Sequence, residues 1–137
     1  MVQRVLFACV HNAGRSQMAA AFFSSMADPD RAEGASAGTQ PGDRVHPEVV
    51  ATMREVGIDL TDKRPQRLTE DLARHASLLV TMGCGDECPY VPGLERDDWP
   101  LRDPKGLPPD QVRAIRDEIR DRVNGLVVAR SWGRKRR

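Results

Sequence analysis

The first seventeen residues constrain this chain more than any other stretch. Arg4 to Ala8 is an apolar run that reads as a short buried strand. Cys9-Val10-His11-Asn12-Ala13-Gly14-Arg15-Ser16 follows, and Gln17-Met18-Ala19-Ala20-Ala21-Phe22-Phe23 then continues as a helix. A strand therefore feeds a tight loop that opens on a cysteine and closes on an arginine at a helix start. Backbone N–H groups at a helix N-terminus, together with the helix dipole, favour a bound anion. Arg15 adds a planar fork of charged donors suited to a tetrahedral oxyanion. A passive anion cradle needs no thiol, but the field that holds an anion also favours the thiolate form of a cysteine. Taken alone, a cysteine ending a buried strand is a small core hydrophobe. Combined with Asn12, Gly14, Arg15 and Ser16 at one strand–helix junction, Cys9 reads as a nucleophile aimed at a bound oxyanion, which Val10 to Ser16 surround.

The rest of the chain limits what such a loop can serve. With 137 residues it is long enough to bury one core without disulfide staples. A net charge of +1 gives no global drive toward nucleic acid or a membrane surface. No apolar run approaches the ~18 residues of a membrane span, and no signal peptide is read, because the first apolar segment is short and leads straight into the loop. Three cysteines without secretory context point to reduced thiols and a cytoplasmic protein.

In chain order, helix 1 is expected from Gly14 to about Met26, with Met18, Phe22 and Met26 facing inward. Ala32 to Ala37 is a weak strand interrupted by Gly34, and residues 38–43 are turn chemistry. Pro47 opens helix 2, which buries Val49, Val50, Met53 and Val56 and stops at Gly57. His46 reads as a helix-start residue rather than a catalyst. Thr69 is an N-cap for a short helix ending near His75. Ala76 to Met82 is the best candidate for a central parallel strand. A cysteine-bearing loop, a brief strand around Leu94 to Trp99 and a breaker-rich segment through Gly106 follow. After Pro108-Pro109, a long helix steps Val112, Ile115, Ile119, Val123, Leu126 and Val127 along one face, with Arg113, Arg116, Asp117, Arg120 and Arg122 opposite. One domain over residues 1–130 and a basic tail over 131–137 are expected, with Arg134 to Arg137 solvated.

Strands alternating with helices imply right-handed parallel units, hence a doubly wound α/β sheet with helices on both faces. Sites in such folds lie at the carboxyl ends of strands. Cys9, Cys84 and Asp103 each follow a predicted strand, so one sheet edge can gather them. Cys84 and Cys88 admit several readings. Too few other Cys and His stand at suitable spacing to complete four zinc ligands. Two unrelated loop cysteines, or one working with a small external thiol, remain open.

Cys9 to Ser16 resembles the oxyanion loop of the low-molecular-weight tyrosine phosphatase superfamily. The longer string through Ala19 resembles its arsenate reductase branch. Ser36-Ala37-Gly38-Thr39, Val56-Gly57-Ile58-Asp59, Leu79-Val80-Thr81-Met82, Cys88-Pro89 and Trp99 before Asp103-Pro104 follow in the same order. The resemblance implies a four-stranded parallel sheet, Asp103 as a general acid, and Asn12 and Ser16 as supports of the loop and the thiolate. It also implies that Cys9 attacks arsenate, that Cys84 then resolves the arsenic adduct as arsenite leaves, and that Cys88 takes over the disulfide. Gly83 and Gly85 would give the loop between them the latitude that thiol exchange needs.

Two departures from the branch stand out. Gly83 occupies the place where the second cysteine is expected, so a mycothiol- or glutathione-type thiol is an alternative to thioredoxin or a glutaredoxin-like donor. Ala20 stands where some of these reductases carry a potassium-binding acid, so no metal and no tightly bound cofactor are expected. The expected partners are an arsenate- or phosphate-like oxyanion and a thiol reductant, acting on a monomer. Two alternatives accompany this reading. One is a tyrosine phosphatase needing only Cys9, Arg15 and Asp103, against which Lys105 stands where a phosphotyrosine-gripping aromatic would follow Asp103-Pro104. The other is a non-catalytic oxyanion-sensing redox switch.

Overall fold

The computed structural model describes residues 2–83 and 91–134. Its elements run β1 (Gln3–Cys9), α1 (Arg15–Met26), β2 (Ala32–Gly38), α2 (Pro47–Arg54), α3 (Glu70–Arg74), β3 (Leu78–Thr81), β4 (Glu95–Asp98) and α4 (Pro109–Ala129). The four strands form one parallel sheet in the order β2-β1-β3-β4.

Side-chain alternation along β1 builds a core on each face. Val5, Phe7 and Cys9 pack with Met18 and Phe23 of α1, Val49 and Met53 of α2 and Ile119 of α4. Leu6 and Ala8 face the other way and join Leu79, Leu68 and Ala73 of α3. The opposed placement of α1 and α3 follows from handedness. The chain moves from β1 to β2 in one direction, then back across β1 to β3, and right-handed crossovers in opposite directions put their helices on opposite faces.

The weak β2 segment is a full strand because pairing supplies what its propensity lacks. All seven of its residues register with β1, from Gln3 beside Ala32 to Cys9 beside Gly38. Gly34 is required there by the ring of Phe23, since a Cβ at that position would lie 2.9 Å from Phe23 Cδ1. At the opposite edge, Glu95–Asp98 exposes all four of its charged side chains, a composition that resists edge-to-edge pairing. Thr69 caps α3 as expected, its hydroxyl accepting the Leu72 N–H at 3.1 Å.

Two expectations need correction. Arg116 is not on the solvent face of α4 but only 8% exposed, donating to the Thr52 carbonyl at 2.9 Å and pairing with Glu55 and Asp117. The helical period accounts for this, because position 116 lies four residues after Val112 and three before Ile119, inside the apolar stripe. The domain also extends past residue 130. Ser131 turns the chain with φ 59°, and Trp132 is buried edge-on against Phe23 with ring centroids 5.9 Å apart.

Candidate active site

The strand order reverses between β1 and β3, and the carboxyl edge at such a switch point is where doubly wound sheets bind ligands. β1 ends there at Cys9 and β3 at Thr81, followed by Met82 and Gly83. Residues 10–14 join Cys9 to α1, which begins at Arg15 with no side-chain cap and no acidic residue in its first turn. The positive end of α1 is therefore not neutralised from within its own first turn.

The segment after β2 shapes the loop. Thr39 N–H donates to the Cys9 carbonyl at 3.2 Å, Gln40 to Val10 at 2.8 Å, Gly42 to His11 at 3.0 Å and His46 to Ala13 at 2.9 Å. These four carbonyls are drawn outward. In a trans peptide the N–H points opposite to its carbonyl, so the amides of Val10, His11, Asn12 and Gly14 turn toward the loop interior. Gly38 makes the close approach possible, because a Cβ there would lie 2.6 Å from the Val10 carbonyl oxygen.

Cys9 is 2% exposed, and its Sγ lies 2.9 Å from Ser16 Oγ. Asn12, at φ 50° in the left-handed region, explains the direction of that contact. Its Oδ1 accepts the Gln66 N–H at 3.0 Å and Gln17 Nε2 at 3.2 Å, which turns Nδ2 toward Ser16 Oγ at 2.6 Å. Ser16 thus accepts from Asn12 and keeps its own proton for the sulfur, where it stabilises negative charge.

Arg15 is buried at the mouth of the loop, with Nη1 donating to the Leu101 carbonyl at 2.9 Å. Its Nη2 lies 3.9 Å from Asp103 Oδ2. Asp103 is held by its other oxygen, which accepts the Lys105 N–H at 3.0 Å, while its carboxyl stays 45% exposed and accessible to a leaving oxygen. Pro104 packs against the loop, as a Cβ on Gly14 would fall 2.9 Å from Pro104 Cγ.

Of the sequence-derived site, Cys9, Arg15, Asp103, Asn12 and Ser16 meet at this edge. His11 turns its Nδ1 to the Gln40 carbonyl at 3.1 Å. His46 starts α2 without a side-chain cap bond. Burial pushes its imidazole below the usual 6.5, against the opposing pull of Glu48 and Asp103. Cys84 and Cys88 lie outside the described residues, as does Tyr90. Sequence reasoning missed Gln17 and Gln66, and it read Gly83 as a source of loop latitude without its contact with Arg15. The one available signal was a polar residue at position 17, inside the apolar start of α1.

A family model described as low molecular weight phosphotyrosine protein phosphatase matches residues 4–136. A Halobacterium salinarum protein named "Putative arsenate reductase" is 40% identical over 124 residues, 88% of this chain and 87% of its own length. The glutaredoxin arsenate reductase of a Synechocystis species is 32% identical over 130 residues, covering 93% of this chain and 98% of the relative. The solved thioredoxin-dependent arsenate reductase of Corynebacterium glutamicum superposes with a TM-score of 0.81 at 41% identity. That match covers 93% of this chain and 61% of the solved chain. This chain belongs to the low molecular weight phosphotyrosine protein phosphatase family and, within it, to the group that contains these arsenate reductases.

Proposed function

We propose that this chain reduces arsenate to arsenite, with Cys9 as the nucleophile and an external thiol as the source of electrons. The observation that carries the reading is the contact of Cys9 Sγ with Ser16 Oγ at 2.9 Å, inside a loop closed by Arg15. Arsenate, a tetrahedral analogue of phosphate that carries at least one hydroxyl at neutral pH, is held by the inward amides of Val10, His11, Asn12 and Gly14 and by the Arg15 guanidinium. The Cys9 thiolate attacks arsenic, and one of the arsenate hydroxyls takes a proton from Asp103 and leaves as water.

Cys84 then attacks the Cys9 sulfur. The electron pair of the sulfur–arsenic bond passes to arsenic, which leaves as arsenite, and a Cys9–Cys84 disulfide forms. Cys88 attacks Cys84, frees Cys9 and leaves a disulfide that a thioredoxin- or glutaredoxin-type dithiol reduces. Two thiols thus supply the two electrons that arsenic gains. The relatives named for thioredoxin and glutaredoxin support a protein dithiol as donor. A mycothiol- or glutathione-type thiol is the alternative for the last step. We place the enzyme as a monomer in a reducing cytoplasm, where its three thiols stay available.

The test is arsenate turnover by wild type, Cys84→Ser and Cys88→Ser, with thioredoxin and its reductase or with a small-thiol system. Arsenite from wild type with thioredoxin, lost in both variants, establishes the relay. Turnover only with the small thiol, surviving Cys88→Ser, keeps the reductase and removes the relay. A phosphatase reading draws on the Arg15–Asp103 pair and the family itself. It predicts aryl phosphate hydrolysis, abolished by Cys9→Ser, with no arsenite under either donor.

A further inference from the structure

The hydrogen-bond line behind Cys9 does not end at Asn12. Gln17 is 5% exposed, and its Nε2 faces three carbonyl oxygens: Asn12 O at 3.1 Å, Asn12 Oδ1 at 3.2 Å and Arg64 O at 3.3 Å. Three acceptors around one amide nitrogen fix which way the Gln17 amide points. Its two protons tie the left-handed Asn12 to the 64–66 segment, where Gln66 N–H donates to the same Oδ1.

We propose that Gln17 is a positioning residue for the nucleophile: it holds Asn12 Oδ1 away from Ser16, so that Asn12 donates to Ser16 and Ser16 donates to Cys9. Without that clamp, the Asn12 amide can turn its oxygen to Ser16. The serine proton then goes to Asn12, and Cys9 loses a donor that favours its thiolate. Gln66 N–H alone remains on Oδ1, so the loss is partial. This inference rests on the reading of Cys9 as nucleophile and adds a residue of α1 that touches neither sulfur nor substrate.

The experiment is pH-dependent alkylation of the full chain by iodoacetamide, read at Cys9 by peptide mass spectrometry, for wild type, Gln17→Met and Gln17→Glu. Alkylation needs neither arsenate nor donor, so it stands or falls separately from turnover. The other titratable groups near the loop are the same in every variant. They are His11 and Arg15, His46 at the start of α2, Asp103 and Lys105 after β4, and Lys63 and Arg64. In Gln17→Met the Cys9 midpoint is expected to rise by about one pH unit, with the high-pH plateau rate unchanged. Gln17→Glu, which places acceptors against three oxygens, should raise it at least as far.

A purely structural role would shift the unfolding curve and leave the midpoint in place. A Gln17→Met midpoint equal to wild type overturns the proposal. Should Gln17→Met fail to fold, wild type decides by NMR. The side-chain amide resonances of Gln17 and Asn12 are expected to titrate together with Cys9. Gln17 resonances that stay flat through that transition overturn the proposal equally.

Discussion

A methyl group on Gly83 would lie 2.5 Å from Arg15 Nη1 and 3.3 Å from its Cζ. The backbone of Gly83 has φ 96°, a region in which a side chain is strained in any case. Gly83, just past the end of β3, is therefore the seat of the Arg15 guanidinium. A cysteine at position 83 would have to displace Arg15 or move the strand end.

Gly83→Ala is expected to disturb Arg15 more than the fold. Phosphate, measured as a competitive inhibitor or by its protection of Cys9 from alkylation, should bind about tenfold to a hundredfold more weakly, the scale of one charge-assisted hydrogen bond. Unchanged phosphate affinity in a folded variant would show that Arg15 does not depend on this seat.

Ser16→Ala removes the donor to Cys9 and strands Asn12 Nδ2, now 2.6 Å from no acceptor. Arsenate turnover should fall by about ten- to a hundredfold, and the buried amide should cost stability on the order of 1–3 kcal/mol. Turnover and urea denaturation measured on the same preparation separate the two effects. Ser16→Thr, which keeps the hydroxyl, should recover much of the turnover.

Asp103→Asn keeps an oxygen for the Lys105 N–H but loses the acidic proton. The rate of the first chemical step is expected to drop by about 10²–10⁴. Phosphate binding should hold or tighten, because the carboxylate 3.9 Å from Arg15 Nη2 no longer competes for the guanidinium. Single-turnover kinetics alongside phosphate inhibition would check this, and a loss confined to binding would remove Asp103 from the acid role.

Away from the site, stability at low pH should follow Glu55. The Arg113 fork, with Arg116 adding a third hydrogen bond, holds its carboxyl at about 2 against an ordinary 4.5. The folded value is depressed, so the contribution is complete above about 4.5 and is lost as pH falls toward about 2. Urea unfolding of wild type and Glu55→Gln across that window should show the wild-type advantage shrinking as acid is added. Parallel curves would mean that this carboxylate is not linked to folding.

Much of this molecule was legible because local chemistry and tertiary outcome agree. A buried β1, a loop of small and polar residues and the apolar start of α1 can meet in few ways, so Cys9, Arg15 and Ser16 declared their places in the one-dimensional pattern. Thr69 did the same through its cap. The tertiary structure decided what depends on residues far apart in the chain. β2 is poor in strand formers, and only its register with β1 and the Phe23 ring over Gly34 make it a strand. Arg116 reads as a surface charge until Thr52 and Glu55 reach it from α2 and its end. Gln17 reads as one more helix former until the 64–66 segment closes on Asn12. The sequence by itself determined the loop from Cys9 to Ser16 between β1 and α1, since a strand–helix junction writes that motif in consecutive residues. Only the fold decided which distant carbonyls, amides and glycines orient it, because hydrogen bonds between residues 54 and 86 positions apart leave no periodic trace along the chain.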